Sequence, residues 1–265
     1  AGNAYAMLKD GTLTFFRSSD GKDPAGNLMP FVGNNNSCQV EESGTIYYIV
    51  DEAATSNVDR PWTMDGYGEI SSITNVVMQD AIKPAHLYGF FKDLRNATTF
   101  EIAKLDTSNA TNMQSMFYHC ENVESLDLST FDTSNVTDVN HMFYYCVKLA
   151  DIDTSSFNTE NITNMSYFFA HCAVDTLDLS NFDTSNVNKM SSMFYKCGNL
   201  SELLIGSFDT SNVTDMSWMF SGCTSIELLN LSHFNTEKVT TLAGLFNGCY
   251  NLLSADVTSF DTSNN

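Results

Sequence analysis

Phe208-Asp209-Thr210-Ser211-Asn212-Val213-Thr214-Asp215-Met216-Ser217-Trp218-Met219-Phe220-Ser221-Gly222-Cys223 is the clearest copy of a unit that fills most of this chain. Its cysteine is one of six. Cys120, Cys146, Cys172, Cys197, Cys223 and Cys249 stand 26, 26, 25, 26 and 26 residues apart. Its leading phenylalanine recurs as Phe131, Phe157, Phe182, Phe234 and Phe260. A fixed period in this range means one supersecondary unit stacked into a solenoid.

Within the unit, Val213, Met216, Phe220 and Cys223 fall at i, i+3, i+7 and i+10, which predicts a short helix with one apolar stripe. Thr214 stands as its N-cap and Asp215 in its first turn, and Gly222 and Gly248 sit where such helices end. Ile226, Leu229 and Leu231 then give the L-x-x-L-x-L spacing of a leucine-rich-repeat strand. The tetrapeptide Asp-Thr-Ser-Asn at 106–109, 132–135, 183–186, 209–212 and 261–264 supplies side chains that bond nearby backbone and favour turns. The predicted fold is therefore an α/β, leucine-rich-repeat-like right-handed solenoid, one strand and one short helix per rung of about 26 residues. One residue is missing between Cys172 and Leu177, and Val174 is expected to take the core slot there.

The expected organisation is an N-terminal β-rich cap at 1–69, an atypical first rung at 70–104, and an array of six Cys-bearing rungs at 105–265. In the cap, Tyr5–Phe16 reads as a hairpin turning at Asp10-Gly11, residues 17–45 are rich in Gly, Asn and Ser, and Thr45–Val50 reads as a strand. Ile73–Met78 reads as a strand and Pro84–Leu94 as a helix. The chain opens at Ala1 without Met and reads as a mature or trimmed product. Asp261-Thr262-Ser263-Asn264 begins another repeat, so the native protein is expected to continue, and end-to-end contact at the uncapped last rung is a further expectation.

At this point the unit F-D-T-S-N-V-T-D-M-S-W-M-F-S-G-C with its I-x-x-L-x-L resembles the BspA-like leucine-rich-repeat surface proteins of bacteria. The resemblance covers about 70–265 and recurs six times. It implies a secreted or cell-surface protein with roles in adhesion, co-aggregation or binding of host extracellular proteins. Departures are the deletion after Cys172, Thr154 in a strand Leu slot, and Leu242 with Leu245 in place of two Met.

Charge excludes several partners. Residues 105–265 hold four basic and nineteen acidic side chains, a net of −15 within a total of −20. That field repels phosphate backbones and anionic membrane surfaces. No apolar run reaches the roughly 18–20 residues of a membrane span. The chain has no G-x-S-x-G, H-E-x-x-H or phosphate-binding glycine loop, so it reads as a non-enzyme with no cofactor.

Three constellations remain. The cysteines sit at apolar positions and read as a buried thiol column, with inter-rung disulfides and metal binding as the alternatives. Asp127, Asp153, Asp178 and Asp256, interrupted by Leu204 and Asn230, read as a solvated strand face, with Ca²⁺ as the alternative. Aromatic residues recur at variable positions: Tyr118, His141, Tyr144, Tyr145, Tyr167, Tyr195 and Trp218, with His119 and His171 among them. They are the candidate binding stripe, against a reading in which they only cover adjacent rungs. The function expected is a surface binding protein, an adhesin for an extracellular protein or glycan. The alternative is a structural spacer with no ligand of its own.

Overall fold

The computed structural model describes residues 2–31, 38–64 and 70–264. Part of the predicted cap and of its Gly-, Asn- and Ser-rich stretch (residues 1, 32–37 and 65–69) and residue 265 lie outside the described residues.

The N-terminal strands β1 (Asn3–Lys9) and β2 (Thr12–Ser18) form the expected hairpin. Its Asp10 and Gly11 both take positive φ, 49° and 79°, the turn whose twist suits a two-residue hairpin. β3 (Cys38–Val40) and β4 (Ile46–Ile49) extend it antiparallel on the β1 side. On the other side β2 pairs in parallel with β5 (Asn75–Met78), and β5 with β6 (Thr99–Glu101). One six-stranded sheet, in the order β3-β4-β1-β2-β5-β6, thus passes from antiparallel hairpins to the parallel solenoid stack. Trp62 fixes this junction. Its ring meets Phe15 and Phe90 edge-on, both at 5.1 Å, and its indole N–H donates to the Phe90 carbonyl. Beside it the buried Arg60 guanidinium lies over Phe90 and donates to the carbonyls of Asp51 and His86.

Each later rung places one short strand in a parallel pair: β7 (Ser125–Leu126) with β8 (Asp151–Ile152), β9 (Thr176–Asp178) with β10 (Glu202–Leu204), β11 (Leu228–Asn230) with β12 (Ser254–Asp256). The break between β8 and β9 coincides with the deleted residue. Val174 is fully buried and Asp175 exposed, so Val174 holds the slot expected of it.

The opposite side of the rung differs from the prediction. Residues 84–94 and the segments before each Cys are successions of turns, with no α-helix among the described residues. Backbone amides alternate in direction. Those of Ser115, Phe117 and His119 donate to Asn140, Met142 and Tyr144 in the next rung, while those of Met116, Tyr118 and Cys120 donate three residues back. Two positions per rung, five residues and one residue before the Cys slot, take left-handed φ. They are Gly89, Ser115, His141, Tyr167, Ser192, Trp218 and Gly244, and Asp93, His119, Tyr145, His171, Lys196, Gly222 and Gly248, all between 54° and 74°. The reason is spacing. Strands stack about 4.8 Å apart, and α-helices about 10 Å wide follow that interval only where a solenoid curves enough to fan them apart. A flat run of turns follows it directly, and it still yields one apolar side, on which Met116, Phe117 and Cys120 are fully buried.

Columns of identical residues hold the stack. Rings of Phe117, Phe143, Phe169, Phe194, Phe220 and Phe246 follow one another at 5.8, 5.9, 6.0, 5.8 and 6.1 Å. Each buried Thr of the Asp-Thr-Ser-Asn turn bridges two rungs: Thr107 Oγ1 donates to the Asp132 carbonyl and accepts from the Asp132 amide, as Thr184 does with Asp209. Leu94 occupies the Cys slot of the 70–104 rung, 26 residues before Cys120.

Candidate binding face

The cysteines lie inside the stack. Each Sγ donates to the carbonyl of a phenylalanine in the preceding rung, from Cys120 to Phe91 at 3.2 Å through Cys249 to Phe220 at 2.9 Å. Cys120, Cys146, Cys172, Cys197 and Cys223 are buried thiols, outside any disulfide. Burial pushes them all up, Cys197 to about 12. Thiols held this way are neither nucleophiles nor ligands.

The acidic column is taken up by its own turns. Asp127, Asp153, Asp178 and Asp256 each accept the amide two residues on with Oδ1, as Asn230 does with its amide oxygen. Hydrogen bonding by the hydroxyls of Ser129, Ser155, Ser180 and Thr258, and then by those amides, holds the four carboxyls below their ordinary range. No group of three or more His, Cys, Asp or Glu is placed to hold a metal ion among the described residues.

The aromatic stripe is a continuous surface. His119, His141, Tyr145, Tyr167 and His171 at left-handed turn positions, with Tyr118, Tyr144 and Tyr195 beside such positions, bring rings to the surface, and rings from successive rungs meet. Tyr118 stacks on Tyr144 at 5.2 Å, and His141 on Tyr167 at 4.4 Å. A second line runs His119, Tyr145, His171, Tyr195 at 4.8, 4.9 and 5.4 Å. Tyr144 joins the lines through His171, at 5.4 Å. All these rings are half-buried. Burial holds His141 and His171 below the ordinary imidazole value, with the Lys196 ammonium adding to the effect at His171. His119 has Glu121 at 3.2 Å, and Arg95 closes on the same carboxylate at 3.4 Å.

Six of the seven predicted residues, Tyr118, His141, Tyr144, Tyr145, Tyr167 and Tyr195, are thus brought together. Trp218 stands apart. Its indole lies across Gly244 of the next rung, where a Cβ would run into the ring, and among the described residues it touches no other aromatic side chain. Its 41% exposure keeps it on the surface.

Sequence reasoning missed what lies past the stripe. After Tyr195-Lys196 the two ring-bearing columns continue as Ser221-Gly222 and Asn247-Gly248. A groove of about 420 Å³ opens over these small residues, with Tyr195 and Lys196 on one side and Tyr250 on the other. The signal was present as an absence, two columns losing their bulk at the same rung.

A family model described as "Mycoplasma protein of unknown function, DUF285" matches residues 86–176 and 173–265. A leucine-rich repeat protein from Eubacterium ventriosum aligns over 95% of this chain and 75% of its own, at 15% identity and a TM-score of 0.29. A leucine-rich repeat protein from Bacteroides ovatus aligns over 95% and 92%, at 10% identity and a TM-score of 0.23. A search of curated proteins finds no match. The leucine-rich-repeat kinship read from the unit and the family model rest on the same residues. With two copies of that model spanning most of its length, the chain belongs to the DUF285 family.

Proposed function

We propose that this protein is a bacterial surface binding protein, and that the aromatic face of its array contacts an extracellular protein or glycan. One observation carries the reading. The chain makes the same left-handed turn with glycine at Gly89, Gly222, Gly244 and Gly248, at no steric cost. It nevertheless places His, Tyr, Lys or Trp there in the middle rungs and so builds a continuous ring surface. Half-exposed aromatic residues combine apolar area with polar tips, the composition that dominates binding hot spots. The surrounding net charge of −15 adds selectivity against anionic partners.

A second reading, a spacer that carries another domain away from the cell, draws on the same contacts. Rings that stack between rungs also stiffen the rod. The test is a screen of the purified array against extracellular matrix proteins and a glycan array, repeated with Tyr144→Ala. Capture that Tyr144→Ala abolishes supports the binding face, and silence across both screens leaves the spacer.

A further inference from the structure

The groove at the end of the ring ladder is the place where this face is recessed. Its floor is backbone. Gly222 and Gly248 take φ of 74° in the column that carries His119, Tyr145, His171 and Lys196 in earlier rungs. A side chain at Gly222 would press on the Lys196 stem, at 2.9 Å from Cγ. The recess therefore depends on these glycines. Its size of about 420 Å³ falls within the ~300–1,000 Å³ usual for small-ligand sites.

The lining has a definite chemistry. Tyr195 is half-buried, with the Lys196 ammonium 5.4 Å from its ring centroid. Tyr250 rises from the opposite rim, 86% exposed among the described residues. Ser221 is 3% exposed and lines the recess, yet its hydroxyl makes no hydrogen bond among the described residues. That hydroxyl is not sealed from solvent, so it is open to water or to a ligand in the recess. The Asn247 carboxamide, at the mouth, is likewise unspent among the described residues: the backbone N–H of Asn247 donates to the Gly244 carbonyl and its carbonyl accepts from the Gly222 amide, which leaves the side chain free. The lining thus offers two phenol faces, one unpaired hydroxyl, one carboxamide and one ammonium.

We infer that this groove seats one pyranose unit of a glycan, stacked on a tyrosine and hydrogen-bonded through its hydroxyls to Ser221 and Asn247. A pyranose has an apolar C–H face for the ring and a rim of hydroxyls that both donate and accept. A single lysine in a field of −15 makes the groove a poor match for polyphosphates. The inference rests on the proposed binding face and gives it a ligand class.

The experiment uses the whole chain and a printed array of disaccharides of hexoses, N-acetylhexosamines and hexuronates, with hits titrated by calorimetry. Ser221 and Asn247 lie three and four rungs from Tyr144, about 14 and 19 Å at ~4.8 Å per rung, so a disaccharide seated on them does not reach it. Two variants probe the groove. Tyr250→Ala removes an exposed ring, and Asn247→Trp fills the recess from an exposed position, so neither disturbs the core. The expected result is binding that falls about tenfold or more in both variants and is unchanged in Tyr144→Ala. In Lys196→Gln, a loss confined to hexuronates assigns an acidic sugar, and an equal effect on all hits assigns a neutral one. No disaccharide hit, or hits that survive both groove variants, overturns the inference. In that case capture of a larger partner that still depends on Tyr144 leaves the proposed binding face standing, and loss of that capture too removes both.

Discussion

Thr184→Val should destabilise the array more than Thr184→Ser, although valine is the better match for a fully buried slot. Thr184 is 0% exposed, and its Oγ1 donates to the Asp209 carbonyl at 2.9 Å and accepts from the Asp209 amide at 2.8 Å. Valine keeps the shape but deletes both hydrogen bonds and leaves two partly buried backbone groups unpaired, at about 1–3 kcal/mol each. The extra methyl recovers about 0.8 kcal/mol, so the net cost is about 1–5 kcal/mol, centred near 3. Serine keeps both bonds and loses one methyl, at about 1 kcal/mol. Urea denaturation followed by circular dichroism ranks the three proteins. Hydrogen exchange at the Asp209 amide adds a local readout, with protection lost in the valine variant and kept in the serine variant. If Thr184→Val equals or exceeds Thr184→Ser in stability, apolar packing rather than the bridging hydroxyl holds adjacent rungs together, and the account of the Asp-Thr-Ser-Asn turn fails.

Other perturbations follow from the same geometry. Thr154 stands in the strand Leu column at 2% exposure with its hydroxyl unpartnered, so Thr154→Val should raise the denaturation midpoint by about 1 kcal/mol in stability; a lower midpoint would show that the hydroxyl has a hidden partner. The five buried core thiols stay protonated in the fold while the unfolded chain loses those protons near the ordinary value of 9.0. Stability, measured under reducing conditions, should therefore be level below about pH 8 and fall above about pH 9, by up to ~1.4 kcal/mol per pH unit for each thiol. A slope that Cys146→Ala with Cys172→Ala does not reduce would refute this. Gly244→Ala puts a methyl into the Trp218 ring at a φ of 64°; the melting temperature should drop, at a cost of about 2 kcal/mol or more, and adding Trp218→Ala should restore part of the loss.

The period, the core columns and the N-terminal hairpin were legible because each rests on residue identity at fixed spacing. The helix was misread for an equally physical reason. Val213, Met216, Phe220 and Cys223 fit a 3.6-residue period, yet the same four residues face inward from a chain of turns whose positive-φ positions are Trp218 and Gly222. Glycine announces such a conformation, whereas tyrosine, histidine and tryptophan do not, and they occupy six of these fourteen positions. Aligning the columns would have exposed it, since Gly89 and Gly244 share one, and Gly222 and Gly248 the other. The candidate face was half legible. The ring positions were found from their chemistry, but the search followed where aromatic residues are dense, while a recess forms where their columns stop.

That contrast separates structure from function within one molecule. A non-glycine residue in left-handed conformation costs about 1 kcal/mol relative to glycine. A ring pair returns about 0.5–1.5 kcal/mol, and Tyr145 has two close partners, His119 at 4.8 Å and His171 at 4.9 Å. Relief of that strain, about 1 kcal/mol, offsets only part of two ring pairs, about 1–3 kcal/mol together, and of the roughly 0.5–1 kcal/mol of extra chain entropy that glycine brings. Tyr145→Gly is therefore expected to cost about 0.5–3 kcal/mol, which thermal and urea denaturation will resolve. The last two rungs, Ser221-Gly222 and Asn247-Gly248, already make this turn without rings. A larger loss on Tyr145→Gly would mean that the ladder is needed to hold the rod together, and the spacer reading would gain what the binding face lost. A loss within that range shows that the rod tolerates the turn without its ring, and what sits on that surface is then a further reason for a chain to keep eight of them in contact.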